Sequence, residues 1–176
     1  MVLKQIFDTD SSTYSYILVS NEGNAIIIDP VTKDLEKYKN IFQELDVTLI
    51  FSVETHTHAD HISGSGALNE IYGSKILSSL DKMDSRAHRI QDGEMIELDE
   101  IQIKCLHTPG HTDDSYCFIL ESENPNILFS GDTLLIGGTG RSDFQNGCSS
   151  SLYESITKKL FTLDDKTLVY PGHDYN

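Results

Sequence analysis

Long apolar runs, basic charge and paired cysteines are all scarce in this chain, and each scarcity removes a class of function. The longest apolar stretches are short, such as Ala25-Ile26-Ile27-Ile28, far below the roughly 20 residues a membrane-spanning helix needs. The start, Met1-Val2-Leu3-Lys4-Gln5-Ile6, lacks the basic-then-apolar layout of a secretory signal. The expected location is the cytoplasm, with no membrane partner. Basic residues number 13 against 28 acidic ones, a formal net charge of −15. That balance argues against nucleic acid and anionic membrane surfaces, which are bound through basic patches that release counterions. A small anionic substrate stays open if a metal, an Arg or a Lys supplies local positive charge. The three cysteines, Cys105, Cys117 and Cys148, are odd in number and form no CxxC pair. Neither a disulfide framework nor a cysteine zinc site is therefore indicated. Cys105 and Cys117 sit in apolar runs and read as buried small hydrophobes. Cys148, in a Gly-rich segment, is a candidate reactive thiol.

With no internal repeat, low-complexity tract or linker, residues 1–176 read as a single domain with room for a real core. Short β-rich runs at Leu3 to Phe7, Tyr14 to Val19 and Ala25 to Asp29 are separated by turn residues. Apolar residues at positions 35, 38, 41, 42 and 45 have helical spacing. The β-branched run Val47 to Val53 predicts a buried strand, and Ile62 to Tyr72 a helix. A short strand follows around Ile76 and Leu77, then a loop from Ser85 to Gly93. Further strands are expected at Met95 to Leu98, Ile101 to Leu106, Tyr116 to Leu120, Ile127 to Phe129 and Thr167 to Tyr170. A helix is expected over Leu152 to Leu160, with the preceding serines as caps. Strands in two groups, each followed by helices, make an α/β (α+β) layered domain.

Seven histidines occur, and His56, His58 and His61 fall within six residues with Asp60 among them. Imidazole and carboxylate are the usual ligands of zinc, iron and manganese. His56 and His58, two apart, are expected to project the same way from an extended segment, with Asp60 and His61 around the turn. Three further segments share one form, a strand followed by a glycine and then a ligand: Thr108-Pro109-Gly110-His111, Ser130-Gly131-Asp132-Thr133 and Tyr170-Pro171-Gly172-His173. Glycine there allows a tight turn and close backbone approach to an ion. One such segment is weak; their recurrence makes a metal-dependent enzyme the expectation.

In order, THTHADH, TPGHT, SGDT and PGHD resemble the metallo-β-lactamase superfamily across nearly the whole chain. The resemblance implies an αββα sandwich of two mixed sheets flanked by helices. It also implies one metal site at His56, His58 and His111, a second at Asp60, His61 and His173, and Asp132 bridging them. The stretch Gly140-Arg141-Ser142-Asp143-Phe144-Gln145, with THTHADHISGSG and YPGHDY, is similar to the persulfide dioxygenase family within that superfamily. This resemblance implies one Fe(II) per chain on His56, His111 and Asp132, with glutathione persulfide, or a related thiol substrate, and O2 as partners. His58, Asp60, His61 and His173 then orient ligands, water or substrate, Asp60 and His61 serving catalysis. Arg141 is expected to pair with a substrate carboxylate, and Tyr175 to act on substrate near the iron. A second copy of the chain, as a homodimer, is a further expected partner. The chain departs from the family in carrying Thr139 where many members have Cys. It also stops at Asn176, so the domain is expected to be short at its C-terminus.

Other readings stand beside this one. The complete seven-residue ligand set suits a glyoxalase-II-like thioester hydrolase with zinc or a mixed two-metal site. A shortened chain also suits a metal-binding or interaction module. His88 reads as a surface residue and His107 as structural. Asp29 is either an acceptor supporting the ligand loops or a turn residue before Pro30. Arg141 has a plain ion pair as its alternative.

Overall fold

The computed structural model describes residues 1–79, 86–122 and 125–175. They form two mixed β-sheets with a few helices, the α/β class expected. The chain divides into two compact units: residues 1–54, 58–89 and 97–101, and residues 55–57, 90–96 and 102–176.

In the first unit, β1 (Val2–Asp8), β2 (Thr13–Val19) and β3 (Asn24–Ile28) run antiparallel. β4 (Thr48–Val53), β5 (Lys75–Ser78) and β6 (Ala87–Arg89) then add in parallel, in the order β1 to β6. β6 lies inside the stretch read from sequence as a loop; Ser85 falls outside the described residues. The residues of β2 and β3 are buried on both faces, which accounts for near-continuous apolar runs rather than a clean alternation. A 3-10 turn (Thr32–Asp34) leads into α1 (Leu35–Glu44). Tyr38 and Phe42, four apart, drive into a cluster with Ile17, Ile27, Leu49 and Leu68. The Tyr38 hydroxyl holds Ser15 Oγ at 2.7 Å and accepts the Val31 N–H at 2.9 Å. α1 ends in a Schellman turn: Asp46 adopts φ 52°, Val47 N–H bonds Phe42 O and Asp46 N–H bonds Gln43 O.

α2 spans Ser65–Tyr72, three residues shorter than the apolar spacing predicts. Residues 62–64 are taken up instead by pairing with the segment after β3. Thr32 N–H bonds Ile62 O, Val31 bridges Ser63, and Gly64 N–H bonds Pro30 O.

The second sheet has the order β11-β10-β9-β8-β7. Its strands are β7 (Met95–Leu98), β8 (Ile101–His107), β9 (Tyr116–Leu120), β10 (Ile127–Gly131) and β11 (Leu168–Pro171). β8, β9 and β10 pair antiparallel, and β11 joins β10 in parallel. α3 (Ser149–Ser155) continues into a π turn (Ile156–Leu160). Leu152, Ile156 and Leu160 pack against Cys117, Ile119 and Leu128. The serines do not cap this helix as expected. Cys148 is its N-cap residue, so the serines form the first turn instead. Cys105 and Cys117 are buried, as read from their apolar surroundings, and Cys148 is exposed.

Candidate metal centre

The seven candidate ligands fall into two groups, one in each unit. In the second unit, His56, His111 and Asp132 bring donor atoms within 4.8 Å of one another. His111 follows β8, Asp132 follows β10 and His173 follows β11, so the segments after strand ends carry the polar side chains. The His56 and His111 rings meet edge to face, with centroids 4.9 Å apart. His111 Nε2 lies 3.5 Å from Asp132 Oδ2. Each ligand is held from behind. Thr55 Oγ1 lies 2.9 Å from His56 Nδ1, and Thr55 O accepts the Tyr116 N–H at 2.7 Å. His111 Nδ1–H donates to the Arg141 carbonyl at 2.7 Å. His173 Nδ1–H donates to Asp132 Oδ1 at 2.6 Å.

Asp132 is buried, and burial alone would raise its carboxyl. The His173 hydrogen bond and the charges of His56, His173 and His111 outweigh that, and the carboxyl sits below its ordinary range. The glycines before these candidate ligands sit in tight places, Gly110 and Gly131 at positive φ, and make close approaches to protein atoms. A Cβ on Gly131 (φ 49°) would lie 2.8 Å from Thr55 Cβ, and one on Gly172 would lie 2.6 Å from Asp132 Oδ1.

In the first unit, His58, Asp60 and His61 form a second group, and Asp29, Glu54 and His58 a third. Residues 55–61 bend rather than run extended. His58 Nε2 sits 3.2 Å from both Asp29 Oδ1 and Glu54 Oε2. Burial acts to lower its pKa, but the Asp29 and Glu54 carboxylates win, and the imidazole is held well above the ordinary His range. Asp29 fits both readings considered for it: its carboxylate meets His58, and its backbone turns at φ 48° before Pro30. His61 Nδ1–H donates to Asp60 Oδ2 at 2.8 Å, and Thr13 Oγ1–H donates to the same oxygen at 3.1 Å. His61 Nε2 is buried with no hydrogen-bond partner among the described residues. A cavity of about 270 Å³ beside Asp60 and His61 is also walled by Asp8, Ser11, Val31 and Lys33.

Two carboxylates went unnoticed in the sequence. Glu54 is buried and accepts the hydroxyls of Ser63 and Ser65; its one signal is an acidic residue directly after an apolar strand. Asp114 accepts the Thr57 N–H and hydroxyl, and nothing local distinguishes it from Asp113. Other expected site residues are found as follows. Arg141 is exposed and bidentate to Asp143, with Nε–Oδ1 2.8 Å and Nη2–Oδ2 3.0 Å, so the ion-pair alternative is present. Tyr175 stacks on His173 with centroids 5.1 Å apart. Both line a cavity of about 180 Å³ with Leu135, Ile136 and Thr139. His88 is exposed on β6. His107 packs at a tilt against Tyr116, ring centroids 5.0 Å apart, with Nε2 3.0 Å from Asp113 O, a structural role as expected.

Residues 8–173 match the family model described as the metallo-beta-lactamase superfamily. The chain belongs to that superfamily. It has the metallo-β-lactamase fold, and the superfamily is one of enzymes that bind metal ions. Within it, the chain is 38% identical to "Persulfide dioxygenase ETHE1, mitochondrial" of Bos taurus, over 100% of this chain and 69% of the relative. A crystal structure of ETHE1 from Myxococcus xanthus superposes with a TM-score of 0.95 at 42% identity, covering 100% of this chain and 77% of the other. A hydroxyacylglutathione hydrolase of Francisella philomiragia is 34% identical over 99% of this chain and 68% of its own length. The metallo-β-lactamase relatives thus include both an oxygenase and a hydrolase, and the choice rests on the site.

Proposed function

We propose that the chain is a non-haem iron dioxygenase that oxidises a low-molecular-weight persulfide, glutathione persulfide being the first candidate, to sulfite and the free thiol. The observation that carries this reading is the group His56, His111 and Asp132, two imidazoles and one carboxylate within 4.8 Å. It is joined by the identity to named persulfide dioxygenases. The donor chemistry fits the ion: His111 Nδ1 faces a carbonyl oxygen, which only accepts, so its Nε2 keeps a lone pair for a metal. His56, His111 and Asp132 would hold Fe(II), which would supply the redox chemistry that lets O2 react with the persulfide sulfur.

Overall, RSSH + O2 + H2O gives RSH + H2SO3. The outer sulfur is oxidised, O2 is reduced and the S–S bond breaks. The protein's own groups prepare this chemistry. His173 holds Asp132 ionised by donating to Oδ1, and Thr55 and Arg141 O fix the two imidazoles. The exposed Arg141 uses two of its five N–H donors on Asp143. The others are free to take a substrate carboxylate, while Tyr175 beside His173 faces the same substrate.

O2 uptake by the iron-loaded protein with glutathione persulfide, with sulfite appearing in step, tests the reading. No uptake above the protein-free rate overturns it. A second reading, a two-metal thioester hydrolase, is favoured by one observation. His61 Nε2, in the His58, Asp60 and His61 group, is buried and lacks a hydrogen-bond partner among the described residues. Turnover of S-lactoylglutathione with two metal ions per chain would replace the first reading by this one.

A further inference from the structure

We propose that Gln145 is a positioning residue for the metal centre, and that residues 141–147 form a strap holding two ligand loops in place. The inference rests on the assignment of His56 and His111 as ligands. Thr57, the residue after His56, is tied on several sides. Its N–H and hydroxyl donate to Asp114 Oδ2 at 3.0 and 2.7 Å. Its carbonyl accepts from Gln145 Nε2 at 3.0 Å, a bond between residues 88 apart in the chain. At the strap's other end, Arg141 O accepts from His111 Nδ1 at 2.7 Å. Beyond the strap, Cys148 N–H donates to Gly110 O at 2.8 Å, next to the same ligand. One short segment thus grips both imidazole-bearing loops.

The strap's backbone conformation is costly. Gln145 and Asn146 lie at φ 47° and 59°, two consecutive non-glycine residues in the left-handed region, at roughly 1 kcal/mol each. Strain of this kind persists where surrounding contacts determine it. Here Asn146 Nδ2 donates to Asp113 Oδ2 at 3.3 Å and Gly147 N–H to Phe144 O at 2.8 Å. The left-handed pair turns the Gln145 amide onto the Thr57 carbonyl.

Gln145→Glu keeps the shape but replaces the donor by an oxygen, and Gln145→Met removes it without charge. Both variants are compared with the wild type in three measurements: thermal unfolding of the metal-free protein, Co(II) affinity by chelator competition, and the visible Co(II) absorption spectrum. The expected result is a Co(II) affinity about 10–100-fold weaker and a changed spectrum, with metal-free unfolding unaltered. Wild-type affinity and spectrum in both variants would overturn the proposal. So would an affinity loss matched by an equal loss of metal-free stability, because packing alone produces that. If the wild type itself binds no Co(II) or Fe(II), the ligand assignment beneath the proposal fails instead, a result seen before any variant is made.

Discussion

The backbone carbonyl of Arg141 accepts the Nδ1–H of His111 at 2.7 Å, while the Arg141 guanidinium turns away to Asp143 and lies 5.7 Å from the Phe144 ring. Main chain and side chain of one residue therefore have separate tasks. Arg141→Met is expected to leave metal affinity unchanged and to raise KM for glutathione persulfide about tenfold, the loss of one charge-assisted contact. Chelator competition and O2 uptake on the same preparation check this. A fall in metal affinity would refute the division.

His173→Ala removes the donor 2.6 Å from Asp132 Oδ1. Burial then acts on the carboxylate with less opposition, its pKa rises, and protons compete better with metal. Metal affinity at pH 7 should fall about 10–100-fold and recover in part as pH rises. Competition titrations at pH 6, 7 and 8 would show it. A pH-independent loss would mean that His173 acts otherwise.

The three thiols should separate by reactivity. Burial pushes Cys105 up to about 12 and Cys117 up to about 11. Exposed Cys148 is lowered by hydrogen bonds from the Ser151 side chain and the Ser151 and Ser150 backbone. Since the thiolate is the nucleophile, iodoacetamide at pH 7.5 should modify Cys148 alone in the folded protein. Peptide mass mapping reads the outcome, and labelling of Cys105 or Cys117 without unfolding would contradict it.

Asp8 supplies a pH test of stability. Burial pushes its carboxyl up, but hydrogen bonds from the Ser11 hydroxyl and N–H and the Asp10 N–H, with the Lys37 charge, bring it below the ordinary Asp value. A depressed folded pKa gives stability that is present above the unfolded pKa of about 4 and lost as pH falls through the folded value. Asp8→Ala should cost about 1–2 kcal/mol at pH 7, and its gap from wild type should narrow below pH 4. Urea unfolding between pH 7 and 3 measures the gap, and one that stayed constant would rule the argument out.

Much of the fold was legible because strands here are short runs with local signatures. Met95–Leu98 and Tyr116–Leu120 end where the apolar runs end. Elements that depend on distant partners were not legible. Ile62 has helical spacing but is taken by pairing with the segment after β3. β6 exists because β5 offers it a parallel edge, not because Ala87-His88-Arg89 has a strand pattern. The serines before Leu152 spell a cap, yet α3 starts three residues earlier and they lie within it.

For the candidate metal centre, sequence alone determined the types of candidate ligand and their placement at strand ends. A glycine followed by His or Asp at the end of an apolar run is a local pattern, and its recurrence after β8, β10 and β11 needs no tertiary information. Tertiary structure decided the grouping: His56 with His111 and Asp132, His58 with Asp60 and His61. It also decided the groups behind the ligands: Arg141 O on His111, His173 on Asp132, Gln145 on Thr57, and Glu54 and Asp29 on His58. The reason is physical. Most of these hydrogen bonds join residues from different loops, and a contact closed across a fold leaves no period or spacing along the chain.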